Sequence, residues 1–178
     1  ALFTDEKFTR ALTNTFKFSA LYVPGVVVLS LLVAVLMNRK IRGVSLFRTM
    51  YFLPAVTSAV AAALVWNLIF ARDFGILNAA IERLGGTGVC WLCAEHVLTA
   101  VLIVNVWGAI GEGMIIFLAG LTAIPREYYE AATMDGAGEV RKFFGITVPL
   151  ITPSIFFQTI ISTINAFQAY DYVYMMTR

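Results

Sequence analysis

Four stretches of this sequence are apolar for long enough to cross a lipid bilayer as helices: Thr15 to Met37, Tyr51 to Phe70, Val97 to Leu121 and Leu150 to Tyr170. A hydrocarbon slab roughly 30 Å thick takes about 20 helical residues at about 1.5 Å each. The composition agrees, since 60% of the 178 residues are hydrophobic and 13% charged, too apolar for a water-soluble domain. The expected fold is therefore all-α, a polytopic transmembrane helix bundle with four visible spans, forming a single domain over residues 1–178. Pro24-Gly25 is tolerable inside the first span, Pro54 falls in the first turn of the second, and Pro153 starts or kinks the fourth. Ala55, Ser58, Ala59, Ala62 and Ala63 give the second span a small-residue face for close packing.

Charge placement orients the bundle. Arg39, Lys40, Arg42 and Arg48 crowd one short loop without an acid, which marks that loop as cytoplasmic. Counting spans from there puts residues 71–96 outside, where Arg72 and Arg83 are balanced by Asp73, Glu82 and Glu95 and where Phe74 to Leu84 suits a short amphipathic helix. It returns residues 124–149 to the cytoplasm and leaves both chain ends outside. Residues 1–14 mix Asp5, Glu6, Lys7 and Arg10 with Phe3, Phe8 and Leu12, as a short interfacial helix or a plain lead-in. The chain starts without Met and stops at Arg178 without a tail, so a piece truncated at both ends is expected.

Polar residues inside the spans are the candidates for function. Asn105, Gly108, Ala109 and Glu112 share one face of the third span, and Ser162, Asn165, Ala166 and Ala169 repeat that spacing on the fourth. Measured from the cytoplasmic ends of their spans, Asn105 lies about 24 Å deep and Asn165 about 22 Å, with Ala109 and Ser162 both at about 18 Å. Two polar faces at matched depth can line a hydrophilic pathway, or they can bond helix to helix. Gln158 and Gln168 are further polar positions on the fourth span. Glu112 is the one charge well inside these spans, and an ionisable group there is a functional candidate by default, for a proton or cation or for a hydroxylated solute.

Cys90, Cys93 and His96 form a C-x-x-C-x-x-H arrangement. Structural zinc normally takes four ligands, so plain loop residues are the first reading, a local disulfide the second and a metal site the third. No phosphate loop, nucleophile elbow or zinc-protease helix is present, and no catalytic set, metal site or nucleic-acid partner is expected.

Between the last two spans lies a polar island, Ile124 to Pro149. It reads as two short helical pieces joined at Asp135-Gly136-Ala137, with Pro125 in a first helical turn. Glu130 beside the small Ala131 and Ala132 lets backbone approach a partner groove, and Tyr128, Tyr129, Phe143 and Phe144 offer aromatic contact area. A docking loop is the expectation; a helix resting on the bilayer surface is the alternative.

These residues resemble the membrane permease subunits of binding-protein-dependent ABC importers. Glu130-Ala131-Ala132, three residues, Gly136, nine residues, then Ile146 and Pro149 follow that family's EAA loop, with Val148 where the family has leucine. FRTMYFLP at 47–54, WNLIF at 66–70, GILN at 75–78, IIFLAGL at 115–121 and AFQAYDYVYMMT at 166–177 resemble its carbohydrate-type branch. The resemblance implies a six-span core of which four are visible, in a bacterial or archaeal cytoplasmic membrane. It implies that Glu130, Ala131, Ala132, Asp135, Gly136 and Ala137 form a coupling helix seated in a separate ATP-binding cassette subunit, which carries the ATP and Mg while this chain binds no cofactor. It also implies a second permease subunit and an extracytoplasmic solute-binding protein as partners, besides membrane lipid. By the same analogy a sugar or oligosaccharide passes at Asn105, Gly108, Ala109, Glu112, Ser162, Asn165 and Ala169. The alternative function is a proton- or cation-coupled secondary transporter using Glu112, which needs no ATPase; a structural membrane anchor is a third reading.

Overall fold

The computed structural model describes residues 5–39, 43–169, 173, 175 and 176, and no strand occurs among them. Lys40 and Arg42 of the basic loop, the end of the fourth expected span at Tyr170, and part of the 166–177 motif lie outside the described residues. The elements in chain order are α1 (Glu6–Met37), α2 (Val44–Phe52) running into a 3-10 turn (Leu53–Val56), α3 (Ala59–Ile69), α4 (Ile76–Arg83) and α5 (Val97–Thr122). After these come α6 (Arg126–Met134), α7 (Glu139–Lys142), a π-helical turn (Phe143–Thr147), α8 (Val148–Leu150) and α9 (Thr152–Phe167). Two of these helices, α1 and α5, are long and apolar enough to cross a membrane alone. Two bent pairs, 44–69 and 139–167, qualify only when each pair is taken together.

The first span is longer than expected. Asp5 caps it by accepting from the Lys7 backbone N–H at 2.9 Å, and the helix then runs unbroken for 32 residues, so residues from Glu6 onward are its first turns rather than a separate interfacial helix. Pro24 is carried inside it. Arg48, on α2, donates to the Met37 carbonyl at 3.1 Å, which ties α2 to the C-terminal end of α1 where carbonyls lack helical partners.

The second expected span is not one helix. Pro54 ends α2 instead of starting a span, Thr57 and Ser58 are extended, and α3 leaves at 101° to the preceding piece. The physical cause is local: Pro54 has no N–H to offer the Met50 carbonyl, and the Thr57 hydroxyl donates to the Leu53 carbonyl at 2.9 Å. Of the small-residue face, Ala62 and Ala63 are buried while Ala55 and Ser58 are exposed. The fourth expected span is also broken, bending 68° between α8 and α9. Pro149 and Pro153 stand four residues apart, so the donor missing at Pro153 is the one that would have met the Pro149 carbonyl. Pro153 thus starts α9.

The core forms where α1, α5 and α9 meet. One apolar cluster gathers Phe18, Tyr22, Val26, Phe70, Val101, Val104 and Ala166; a second, next to the polar island, gathers Ala34, Met37, Met114, Phe117, Leu121 and Ile151. A polar layer sits among these helices: Ser30, Gln158 and Ser162 are buried, and Gln158 donates to the Ser162 hydroxyl at 3.1 Å. Gly113 permits that layer, because a Cβ on it would come within 2.5 Å of the Ser30 hydroxyl oxygen and 3.2 Å of Gln158 Nε2. Exposed leucines and valines on the outer faces, Leu21, Val28, Leu32 and Leu64 among them, suit contact with lipid.

The segment between α3 and α5 folds around Asn78. Its side chain, 2% exposed, donates to the carbonyls of Arg72 (3.1 Å) and Val89 (2.9 Å) and accepts from the N–H groups of Val89 (3.1 Å) and the Trp91 ring (3.0 Å). Trp91 stacks on Phe70, which anchors the loop to the core. Cys90 and Cys93 are joined in a disulfide, so the expectation of plain loop residues is corrected in favour of the local bridge. Asn78→Ala strands four polar groups at once. Each buried group left without a partner costs about 1–3 kcal/mol, so exchange of the Val89 amide hydrogen is expected to accelerate at least about tenfold, measured by hydrogen–deuterium exchange, while exchange in α5 stays unchanged.

Candidate functional site

A cavity of 270 Å³ opens where α1, the α2–α3 elbow, α5 and α9 converge. Its walls are Tyr22, Pro54, Ala55, Thr57, Asn105, Gly108, Ala109, Glu112, Asn165, Gln168 and Ala169. Six of the seven expected pathway residues are thereby brought together from α5, α9 and the turn that follows α9. The seventh is not: Ser162 is 1% exposed and engaged by Gln158 in the buried layer, because α9 is wedged so that one edge of its polar stripe turns into the core. Ala166 is buried with it, while Asn165 and Gln168 face outward.

Four wall residues escaped the sequence reading. Tyr22 stands in an apolar helix that carries no polar spacing, and Pro54, Ala55 and Thr57 read from sequence as part of a continuous span. The signal that would have found them is Pro54 followed by Thr57-Ser58, residues that favour local bonding over an unbroken helix. The elbow reaches the cavity by lying on Gly111: a Cβ there would overlap the Tyr51 carbonyl oxygen and sit 2.9 Å from Phe52 Cα. Glu112 follows directly and is exposed on the cavity side. Asn105 donates one amide hydrogen to the Val101 carbonyl at 2.9 Å, which holds its side chain along its own helix.

The polar island continues from the other end of α5. As expected it is two short pieces: α6 closes with a Gly136 N–H to Thr133 carbonyl bond (3.0 Å) and an Ala137 N–H to Ala132 carbonyl bond (2.9 Å), with Gly136 at φ +74°. This pairing is the Schellman arrangement that ends helices on a left-handed residue. Pro125 lies just ahead of α6 as its cap rather than in its first turn. Glu130, Ala131, Asp135 and Gly136 are exposed, and Ala132 and Ala137 are half-buried. Of the four aromatic anchors, Tyr128 and Phe144 are exposed, whereas Tyr129 turns inward to bond the buried Thr147 hydroxyl at 2.9 Å and Phe143 is half-buried. Met134 and Val140, 89% and 72% exposed, add apolar surface that the sequence reading overlooked. Lys142 pairs with Glu139 at 3.1 Å across one turn.

Comparison with known proteins places this geometry. The lactose transport system permease protein LacF of Rhizobium radiobacter is 37% identical over 99% of this chain, which spans 60% of LacF. The sulfoquinovosyl glycerol transport system permease protein SmoG of Agrobacterium fabrum (strain C58 / ATCC 33970) is 35% identical over 99% of this chain and 58% of its own length. Among solved structures, a bacterial alginate ABC transporter in complex with an alginate pentasaccharide-bound periplasmic protein superposes with a TM-score of 0.82 at 27% identity, over 90% of this chain and 57% of that one. The chain thus spans under two thirds of each of these proteins. The sequence profile of the binding-protein-dependent transport system inner membrane component matches from residue 6 to residue 178, and with nearly the whole sequence inside that match, the chain belongs to this family of multi-pass membrane proteins.

Proposed function

We propose that this chain is the membrane-crossing part of a permease subunit in an ATP-driven importer, passing a small hydrophilic solute, a sugar or oligosaccharide. The observation that carries the reading is the cavity, in which Asn105, Gly108, Ala109, Glu112, Asn165 and Ala169 meet on helices that continue into both ends of the polar island. In this reading residues 124–149 are cytoplasmic, residues 71–96 face outward, and the membrane is the cytoplasmic membrane of a bacterium or archaeon. Glu130, Ala131, Ala132, Asp135, Gly136 and Ala137 seat in a cleft of an ATP-binding cassette subunit, which binds and hydrolyses ATP with Mg. A second permease subunit completes the pathway, and an extracytoplasmic binding protein delivers the solute. The solutes in the names of the relatives differ, so they support the class of importer and do not choose among solutes.

Mechanically, the island is suited to transmit motion. The Tyr129–Thr147 bond clamps α6 to the π-helical turn, so a displacement of α6 is passed to α8 and α9 as well as to α5. Glu130→Lys in the full-length permease is expected to abolish co-purification with the cassette subunit and to lower ATP-driven uptake into proteoliposomes at least about tenfold, since a reversed charge at an interface costs several kcal/mol. Retained association and uptake would remove the coupling assignment. Because Glu112 faces the cavity, a proton- or cation-coupled carrier is the competing reading; uptake driven by a proton gradient without ATP would favour it.

A further inference from the structure

We infer that Glu112 makes the cavity charge-selective, so that the solute it passes is a neutral or amino-bearing polyhydroxylated molecule and not an anion. This inference rests on the importer reading above and adds to it the chemical class of solute. Two separate features of the wall carry it.

The first is charge. The cavity wall contains one acidic side chain, Glu112, and no Lys, Arg or His among the described residues. Against this chain's wall an anionic solute would leave water to lie beside a like charge with no cation among the described wall residues, and such repulsion grows as the surrounding dielectric falls. A neutral polyol meets no such barrier, and an ammonium group gains from the carboxylate.

The second is the direction of the hydrogen bonds. A carboxylate only accepts. Thr57 gives its single hydroxyl proton to the Leu53 carbonyl at 2.9 Å, so toward the cavity it too can only accept. Asn105 has one of its two amide hydrogens committed to Val101. Glu112 and Thr57 thus offer acceptors, while Asn105, Asn165 and Gln168 bring amide N–H donors as well as carbonyl acceptors, a mixed wall that complements hydroxyl groups, which donate and accept alike. The position of Glu112 is held from behind, because the neighbouring Gly111 is fixed against the backbone of residues 51 and 52. The helix backbone that carries Glu112 thus cannot shift away from the cavity without moving the elbow.

Charge selection can be measured without knowing the solute. A cysteine is placed at Ala109, or in a second variant at Ala169, in the full-length permease within its assembled importer in nanodiscs. Cys90 and Cys93 are bonded to each other and present no competing thiol. Modification rates are compared for two methanethiosulfonates of similar size, one bearing trimethylammonium and one bearing sulfonate, each normalised to its rate with free 2-mercaptoethanol. With Glu112 present the normalised ratio should favour the cation by about tenfold or more, and Glu112→Gln should bring it close to one. A ratio that is the same with Glu112 and with Gln overturns charge selection and leaves the importer reading standing. Failure of both reagents to react at both positions, in complexes that remain intact, overturns the two together, because no water-filled pathway would then exist at this cavity.

Discussion

Gly111→Val is expected to prevent recovery of folded protein from the membrane. The close approach at this residue is to backbone: a Cβ would overlap the Tyr51 carbonyl oxygen and lie 2.9 Å from both the Tyr51 carbonyl carbon and Phe52 Cα. A side chain in the way could change rotamer, whereas the end of α2 cannot retreat without lifting the whole elbow off α5. Overpacking of a well-packed interface costs about 1–3 kcal/mol and more where backbone must move. The loss should show as collapse of the monodisperse peak of a fluorescent fusion in mild detergent, or as a fall of at least several degrees in apparent Tm. Gly25→Ala is the matched control, since the nearest atom to a Cβ there is Val106 Cγ2 at an ordinary 3.8 Å. It should behave as the parent protein does. A Gly111→Val protein with unchanged Tm would show that the elbow does not rest on α5.

The second large effect, at Gly136, has a different origin. Nothing lies within 4 Å of a Cβ built on Gly136, so a side chain there meets no obstacle, yet the backbone is at φ +74°. A β-branched residue in that left-handed conformation costs about 1–2 kcal/mol, and relieving the strain unwinds the two hydrogen bonds that close α6. Gly136→Val should therefore leave the amount of protein in the membrane near normal while, on the proposed function, ATP-driven uptake falls at least about tenfold, since the effect is confined to the exposed end of α6. Gly136→Asn should retain much more uptake, because asparagine tolerates this conformation. Equal activity of the Val and Asn variants would show that the left-handed turn is not what the island requires. The two glycines thus separate readouts: stability of the bundle at Gly111, transmission at Gly136.

Much of this organisation is legible in the residues. Polar positions spaced three and four apart identify a helix face whatever surrounds it, and Asn105, Gly108, Ala109 and Glu112 all reach the same cavity for that reason. The two-piece island was readable because Gly136 stands at the point where the chain must take a conformation that favours glycine. Ser162 was misplaced because spacing fixes only that residues share a face, and the facing partner decides which edge of the face is buried. The break in the second span is hard to read because only Thr57 and Ser58 interrupt the apolar run where the backbone turns through 101°.

That the chain is helical and crosses a membrane follows from its residues alone, since a long apolar run in lipid must satisfy its backbone internally. The two-piece form of the polar island is local as well, since Gly136 and the prolines at 125 and 149 are readable in place. Which polar residues meet is set by packing between helices. That outcome depends on Gly111 admitting the elbow, Gly113 admitting Ser30 and Gln158, and α9 presenting Asn165 and Gln168 to the cavity while Ser162 goes to the core. Those are contacts between segments far apart in the chain, set by the space each helix leaves to its neighbours, and no periodicity within one segment encodes them.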